Sequence, residues 1–315
     1  MNATAILLTG STRRLLKEFE TQGIECGVVD GALNLITYQT KSGTWKQLKG
    51  MMSQDLPLFS KLICDDKWWS NRKFHEFGLP TPKTELHSDE TTTAEFLKTS
   101  AKVVVKPRFG AHGHGVQLNL TTSEDVRAGV AEAHKFDLQV ILQEQLSGQD
   151  LRILVIGGKI NSVLERRPAQ VIGDGTRTVG QLIEIENKRH ERGSIGIDAL
   201  IKINMPAVKN YLSAKIMESI LAKDQVVRVV GPANQSLGGT VHDAVALITP
   251  EIETQVLKIT KHLSMPIVGI DCLLTPKGHY FLELNASPGI GIHDDNFAGI
   301  TSGCFRAYAK LLYEQ

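Results

Sequence analysis

Short apolar runs punctuated by glycine and proline set the rhythm of this chain. AILLTGS at the start reads as a buried strand, and CGVVD and LITYQT read as two more. Thr12 is placed to cap an intervening helix that turns Leu15, Leu16 and Phe19 inward and ends at Gly23. The opening is therefore a small α/β region of about 60 residues, the size of a subdomain. Asp66 is placed to cap the next helix, KWWSNRKFHEF, which stops at Gly78 before LPTP. The two prolines mark a linker, and a new lobe begins after it.

KVVVK (102–106) and GVQLNL (115–120) are strands, with PRFGAHGHG between them. Thr122 and Asp125 have capping-box spacing and open a helix to about His134. LQVILQEQL is a further strand. LRILVI and KINSVLERR flank Gly157-Gly158, a strong hairpin signal. Thr178 and Gln181 form a second capping box, for a helix over VGQLIEIENKRHERG. Residues 194–225 read as mixed helix and loop. VVRVV is a strand, and GPANQSLGGT a polar glycine-rich loop. Thr249 and Pro250 begin a helix whose Ile252, Val256, Ile259 and Leu263 form one apolar stripe. PIVGIDCLL, the turn TPKG and HYFLELNAS make a hairpin, and CFRAYAKLLYEQ is a closing helix.

Composition narrows the function classes. The 315 residues carry 35 basic and 34 acidic side chains, a net charge of +1. That leaves no electrostatic footprint for nucleic acid or an anionic membrane. Cys26, Cys64, Cys272 and Cys304 are scattered without CxxC spacing, which suits free thiols in a reducing cytoplasm. The apolar N-terminal stretch is too short for a signal peptide, and no apolar run reaches transmembrane length.

The glycine segment GAHGHG is followed by a strand, not by the helix of a dinucleotide fingerprint, and no Gly-Lys-Ser/Thr of a P-loop follows. Gly110, Gly113 and Gly115 thus sit in a strand–loop–strand hairpin. It is either a plain flexible turn or a flap laying backbone N–H groups over phosphates. Lys106 ends the valine run beside it, where an ammonium neutralises phosphate or simply snorkels. Lys67, at a helix start, is a weaker candidate of the same kind.

Glu283 and Asn285 lie two apart on one strand face, and Asp271 follows the buried PIVGI on the partner strand. These oxygen donors suit Mg²⁺ completed by nucleotide phosphates. The competing reading is a buried carboxylate–arginine network, with Arg152 and Arg166 also on strands. His112, His114, Cys272 and His293 lack zinc-ligand spacing, and no Gly-x-Ser-x-Gly elbow appears.

A lysine at a strand end, a glycine flap, the QEQLSGQD strand exit and a terminal Asp…Glu-x-Asn, in that order, resemble the ATP-grasp superfamily of carboxylate–amine ligases over roughly residues 60–300. KPRFGAHGHGV, ERRPAQVIGDGTRTVGQLIEIEN, ANQSLGGT and GIDCLLTPKGHYFLELNASPG are most similar to the ATP-grasp module of cyanophycin synthetase and of bifunctional glutathione synthetases. The resemblance implies an α/β (α+β) ATP-grasp fold. A small N-terminal pre-domain would span residues 1–63, a small lobe with the glycine-rich lid 64–143, and a large lobe with metal and substrate loops 144–315.

It also implies roles. Lys67, Lys106 and the lid residues Gly110, His112, Gly113 and Gly115 would hold ATP phosphates. Gln143, Glu144 and Leu146 would line the adenine site, and Asp150 would hold the ribose. Asp271, Glu283 and Asn285 would hold two Mg²⁺ ions, with Mn²⁺ as a substitute. Arg152, Arg166, Asn234 and Gly239 would face the acyl phosphate and substrates.

The implied activity is amide-bond formation on an amino acid or short peptide, with a homodimer expected by family analogy. The alternatives are a non-catalytic ATP-binding regulatory module and a grasp-fold phosphotransferase. Two positions depart from the subgroup: Phe109 stands where an acid is usual, and His114 where arginine is usual. No second ligase module with a P-loop follows, so a stand-alone ligase is expected. Arg189 and Arg192 either read an acidic substrate or form a solvated helix face.

Overall fold

A computed structural model describes residues 7–110, 113–189, 192, 201–231, 233, 235–294 and 302–315. The chain opens with α1 (Gly10–Thr21), β1 (Cys26–Asp30), β2 (Leu35–Gln39), β3 (Trp45–Lys49), β4 (Met52–Ser53), α2 (Leu58–Asp65), α3 (Lys67–Glu76) and β5 (Thr84–Leu86). There follow α4 (Glu90–Thr99), β6 (Val103–Pro107), β7 (Gln117–Leu120), α5 (Ser123–Ala133), β8 (Val140–Glu144), β9 (Gln149–Ile156) and β10 (Lys159–Arg167). Next are β11 (Gln170–Ile172), α6 (Val179–Lys188), α7 (Met205–Tyr211), α8 (Ala214–Met217), β12 (Val226–Arg228) and β13 (Thr240–Asp243). The chain closes with α9 (Pro250–Leu263), β14 (Ile267–Thr275), β15 (Gly278–Asn285) and α10 (Cys304–Glu314).

Two compact units form, each discontinuous in sequence. The first gathers residues 1–87, 146–164 and 243–315; the second gathers 88–145 and 165–242. No helix among the described residues is long and apolar enough to cross a membrane.

In the first unit, β9, β14 and β15 pair antiparallel with β10 beside β9. This sheet is buried on both faces, so its strands read as near-continuous apolar runs. Leu151, Ile153 and Val155 of β9 enter one core with Val268, Ile270 and Cys272 of β14. The α9 stripe of Ile252, Val256, Ile259 and Leu263 covers that core. Leu154 and Ile156 point to the opposite face and a second core, shared with α1 and α10. There β1 to β4 form an antiparallel meander, and Phe19 stacks on Tyr38 at 5.2 Å. The Tyr308 hydroxyl, fully buried, donates to the Met51 carbonyl at 2.8 Å.

Three local expectations are corrected. The N-cap of α1 is Thr9, whose hydroxyl accepts the Thr12 N–H at 3.4 Å. Thr12 lies inside the helix, buried; both threonines fit the cap pattern, but only Thr9 precedes the first helical residue, Gly10, with the extended backbone of a cap. The expected first strand, residues 5–11, does not form where it is described: Leu7, Leu8 and Thr9 are not in a strand, and Gly10 and Ser11 already belong to α1. Nor is LPTP a free linker: the Phe281 N–H donates to the Pro80 carbonyl at 2.8 Å, and the Thr81 hydroxyl donates to the Phe281 carbonyl at 2.9 Å. A proline-flanked segment covers the open edge of β15 without offering a further ladder for pairing.

In the second unit, β8, β6 and β7 pair antiparallel in that order. Val103, Val105, Val140 and Leu142 pack on Phe96 of α4 and on Val126, Val130 and Ala133 of α5. Both expected capping boxes are present, at Thr122–Asp125 and Thr178–Gln181. A separate core joins α6, α7, β11 and β12 through Val171, Val179, Ile183, Val208 and Val227. The helix α6 ends at Lys188, short of its expected length.

Candidate functional site

The β14–β15 hairpin places Asp271 directly opposite Glu283 and Gly269 opposite Asn285. A β-bulge interrupts this pairing, because Cys272 pairs with Phe281 and leaves Leu282 over. Strict alternation would put Phe281 and Glu283 on the same face. The extra residue resets the phase, so Phe281 stays in the core while Glu283 turns toward Asp271. Bulges commonly re-aim side chains beside functional sites.

Arg152 is the β9 partner of Asp271. Its Nε lies 2.6 Å from Asp271 Oδ1, and its Nη2 donates to Oδ2 at 3.3 Å. Both side chains are largely buried, 13% and 9% exposed. The carboxylate–arginine pairing foreseen as an alternative is therefore present at Asp271. Glu283 is different: half-buried, its carboxylate has no hydrogen bond or ion pair among the described residues. The Asn285 amide nitrogen is buried and likewise without a partner. Such orphaned groups in a native fold call for a bound water, ion or ligand.

Like charges opposed across strands repel, and Arg152 offsets only one of the two carboxylates. No group of three or more His, Cys, Asp and Glu gathers as a metal cluster among the described residues. With the Asn285 amide as third oxygen donor, the set fits a hard divalent cation whose remaining positions come from a ligand.

Other candidates stand nearby in this unit. Lys67 is the first residue of α3, whose N-cap Asp66 accepts the Trp68 and Trp69 N–H groups at 3.0 and 3.1 Å. The helix packs on β15 through Phe74 and Phe281, ring centroids 5.5 Å apart. Leu146 and Asp150 enter and begin β9, with Asp150 opposite Leu273. Burial pushes the Cys64 and Cys272 thiols up to about 12. At pH 8, Ellman's reagent should therefore modify neither in the native protein, whereas denatured protein should react at once.

In the second unit, Lys106 is 9% exposed, and its Nζ donates to Gln143 Oε1 at 2.9 Å. Glu144 ends the same strand, half-buried. Gly110, Gly113 and Gly115 all take positive φ, +103°, +77° and +71°. At Gly115 a side chain would also collide with Phe136 and Pro107, each 2.8 Å from its Cβ.

The two departures at the lid have structural roles. The Phe109 N–H donates to Asp137 Oδ2 at 2.7 Å, and His114 stacks on Phe136 with centroids 5.9 Å apart. Asp137 was not singled out from the sequence, since a loop aspartate carries no periodic signal. A buried ammonium beside glycines that free the backbone N–H groups can hold phosphate oxygens.

Arg166 lies on β10, and Gly238 and Gly239 follow a short 3₁₀ turn at Gln235–Leu237. His112 and Asn234 lie outside the described residues. The expectation for the arginine pair is corrected at Arg192. Arg189 is 55% exposed and pairs with Glu186, but the Arg192 side chain is 3% exposed, so it forms no solvated helix face and is not open to an acidic substrate.

An ATP-grasp domain model matches residues 64–204, and a RimK-like ATP-grasp domain model matches 232–300. Cyanophycin synthetase of Nostoc sp. PCC 7120 is 26% identical, aligned over 96% of this chain and 35% of its own length. That of Synechocystis sp. PCC 6803 is 32% identical over 74% of this chain and 28% of its own. The glutathione biosynthesis bifunctional protein GshAB of Listeria innocua is 28% identical over 90% and 38%. The chain thus spans roughly a third of the length of these relatives, from 28% to 38%. A bifunctional glutathione synthetase from Pasteurella multocida shares the fold, with a TM-score of 0.62, 24% identity, and coverage of 90% of this chain and 40% of that one.

Proposed function

The chain is built on an ATP-grasp domain, and from that premise we propose that it is an ATP-dependent carboxylate–amine ligase. Its substrates would be an amino acid or short peptide and an amine, its products an amide, ADP and phosphate. The observation that carries this reading is the oxygen-rich pair Asp271–Glu283, opposed at a bulge and only half neutralised by Arg152.

The substrate carboxylate takes the γ-phosphoryl group of ATP, giving an acyl phosphate and ADP. The amine nitrogen then attacks the acyl carbon; the carbon–oxygen bond to phosphate breaks, and phosphate leaves with that oxygen. Lys67 and Lys106 hold phosphate oxygens, joined by the lid residues Gly110, His112, Gly113 and Gly115. Gln143, Glu144 and Leu146 border the adenine, and Asp150 the ribose. Arg152, Arg166, Asn234 and Gly239 face the charge that builds on the acyl phosphate. Asp271, Glu283 and Asn285 would hold one or two Mg²⁺ ions, for which Mn²⁺ could substitute, and the metal would screen phosphate charge. Positioning and electrostatics suffice, and no covalent enzyme intermediate is required.

The test is ADP and phosphate release with Mg-ATP across a matrix of amino acids, short peptides and amines, followed by product mass. Release that needs carboxylate and amine together, with a product lighter than their sum by one water, supports the ligase. ATP binding without release would favour the regulatory module, and a phosphorylated product formed without amine the phosphotransferase. Lys106→Ala should weaken ATP binding about 10- to 100-fold, the worth of one charge-assisted hydrogen bond. Unchanged affinity by calorimetry would reduce Lys106 to a partner of Gln143.

A further inference from the structure

Arg192 lies beyond the end of α6 with its guanidinium inside the protein. Nε pairs with Glu186 Oε1 at 2.9 Å. Nη1 donates twice, to the Ile201 carbonyl at 2.7 Å and the Gly238 carbonyl at 3.0 Å. A fixed planar fork can satisfy three acceptors on different segments at once.

The segment it grips is held tightly from the other side. A Cβ at Gly238 would fall 2.6 Å from Ile203 Cα, and Gly238 has φ +96°. Asn187 brackets the same Ile203, accepting its N–H at 2.7 Å and donating to its carbonyl at 3.1 Å. The Asn204 N–H donates to the Leu237 carbonyl at 3.3 Å.

This clamp fixes one peptide plane. No cis peptide occurs among the described residues, so the Gly238 carbonyl and the Gly239 N–H point in opposite directions. Arg192 draws the carbonyl toward Glu186, and the N–H of Gly239 is thereby turned away. Gly239 is buried, yet its N–H has no acceptor among the described residues. Buried backbone donors without a partner are rare, and one held rigid is what a developing oxyanion needs.

We propose that Arg192 is a positioning residue: through the Gly238 carbonyl it orients the peptide so that the Gly239 N–H meets the reacting carboxyl oxygen of the substrate. This inference rests on the ligase reading. It touches no substrate through Arg192 itself, which is why an arginine that looks free in the sequence is spent inside the protein.

The test compares the wild type with Arg192→Ala and Arg192→Lys. Turnover is expressed per ATP-binding site, counted by titration below the melting temperature, so that loss of folded protein does not register. With the carboxylate and amine found in the product screen, Arg192→Ala should lower kcat about 10²-fold, the worth of one oxyanion donor. The KM for ATP should stay unchanged. Arg192→Lys, which keeps a cation but not the fork, should recover part of the loss and serves if the alanine variant does not fold.

Crystal structures should show the 238–239 peptide rotated in whichever variant is impaired. An unchanged kcat per site, or an unmoved Gly238 carbonyl, would overturn the proposal. Absence of carboxylate-dependent ADP release from the wild type would instead remove the ligase reading and, with it, the substrate contact. The crystal structures would still decide whether Arg192 sets the peptide.

Discussion

Replacing Glu283 with alanine should abolish carboxylate- and amine-dependent ADP release, by about 10³-fold or more, while leaving the protein folded. The size follows from the several kcal/mol that a bound metal contributes to a transition state rich in negative charge. The intact fold follows from what Glu283 does not do. Its carboxylate has no hydrogen bond or ion pair among the described residues, and it faces another carboxylate across the hairpin. Removing it relieves a repulsion, so the melting temperature should hold or rise. Glu283→Gln, which keeps an oxygen donor but no charge, should retain a trace of turnover. Full activity in the alanine variant would rule out a role for this hairpin in holding metal.

Arg152 should behave in the opposite way. Arg152→Met strands the Asp271 carboxylate in a largely buried setting, and breaking one side of a buried pair costs about 3–5 kcal/mol. Urea unfolding should show that loss. The double variant Arg152→Met with Asp271→Leu removes both charges and should regain most of the stability, yet remain inactive. Recovery of folding without recovery of turnover would separate the packing role of the pair from its chemical one. A double variant as unstable as the single one would place the energetic weight elsewhere than in the charges.

Much of this was legible in the sequence, for physical reasons. The Thr122 and Thr178 capping boxes were readable because both partners lie three residues apart. So was the α9 stripe, because its period is that of the helix. The hairpin itself was legible too, and with it the placing of Asp271 and Glu283 on adjacent strands.

The bulge was not. HYFLELN alternates well enough as a regular strand, and only the pairing partner reveals that Leu282 is surplus. Arg192 escaped for another reason. Its acceptors are carbonyls of Ile201 and Gly238, and a backbone oxygen leaves no trace in residue identity. Thr9 and Thr12 differ by less than a helical turn, and cap chemistry alone cannot separate them.

The second core has a temporal consequence. Leu15, Phe19, Ile36, Tyr38 and Leu48 pack on Phe305, Tyr308 and Leu312, which follow them far along the chain. The ribosome therefore releases α1 and the meander well before their partners on β9, β14 and α10. Burial is complete only once α10 has emerged. During that interval the nascent chain is a natural client for a holding chaperone. Removing α10 should leave that side of the core bare and promote aggregation of the newly made chain, measured as loss of the variant to the pellet.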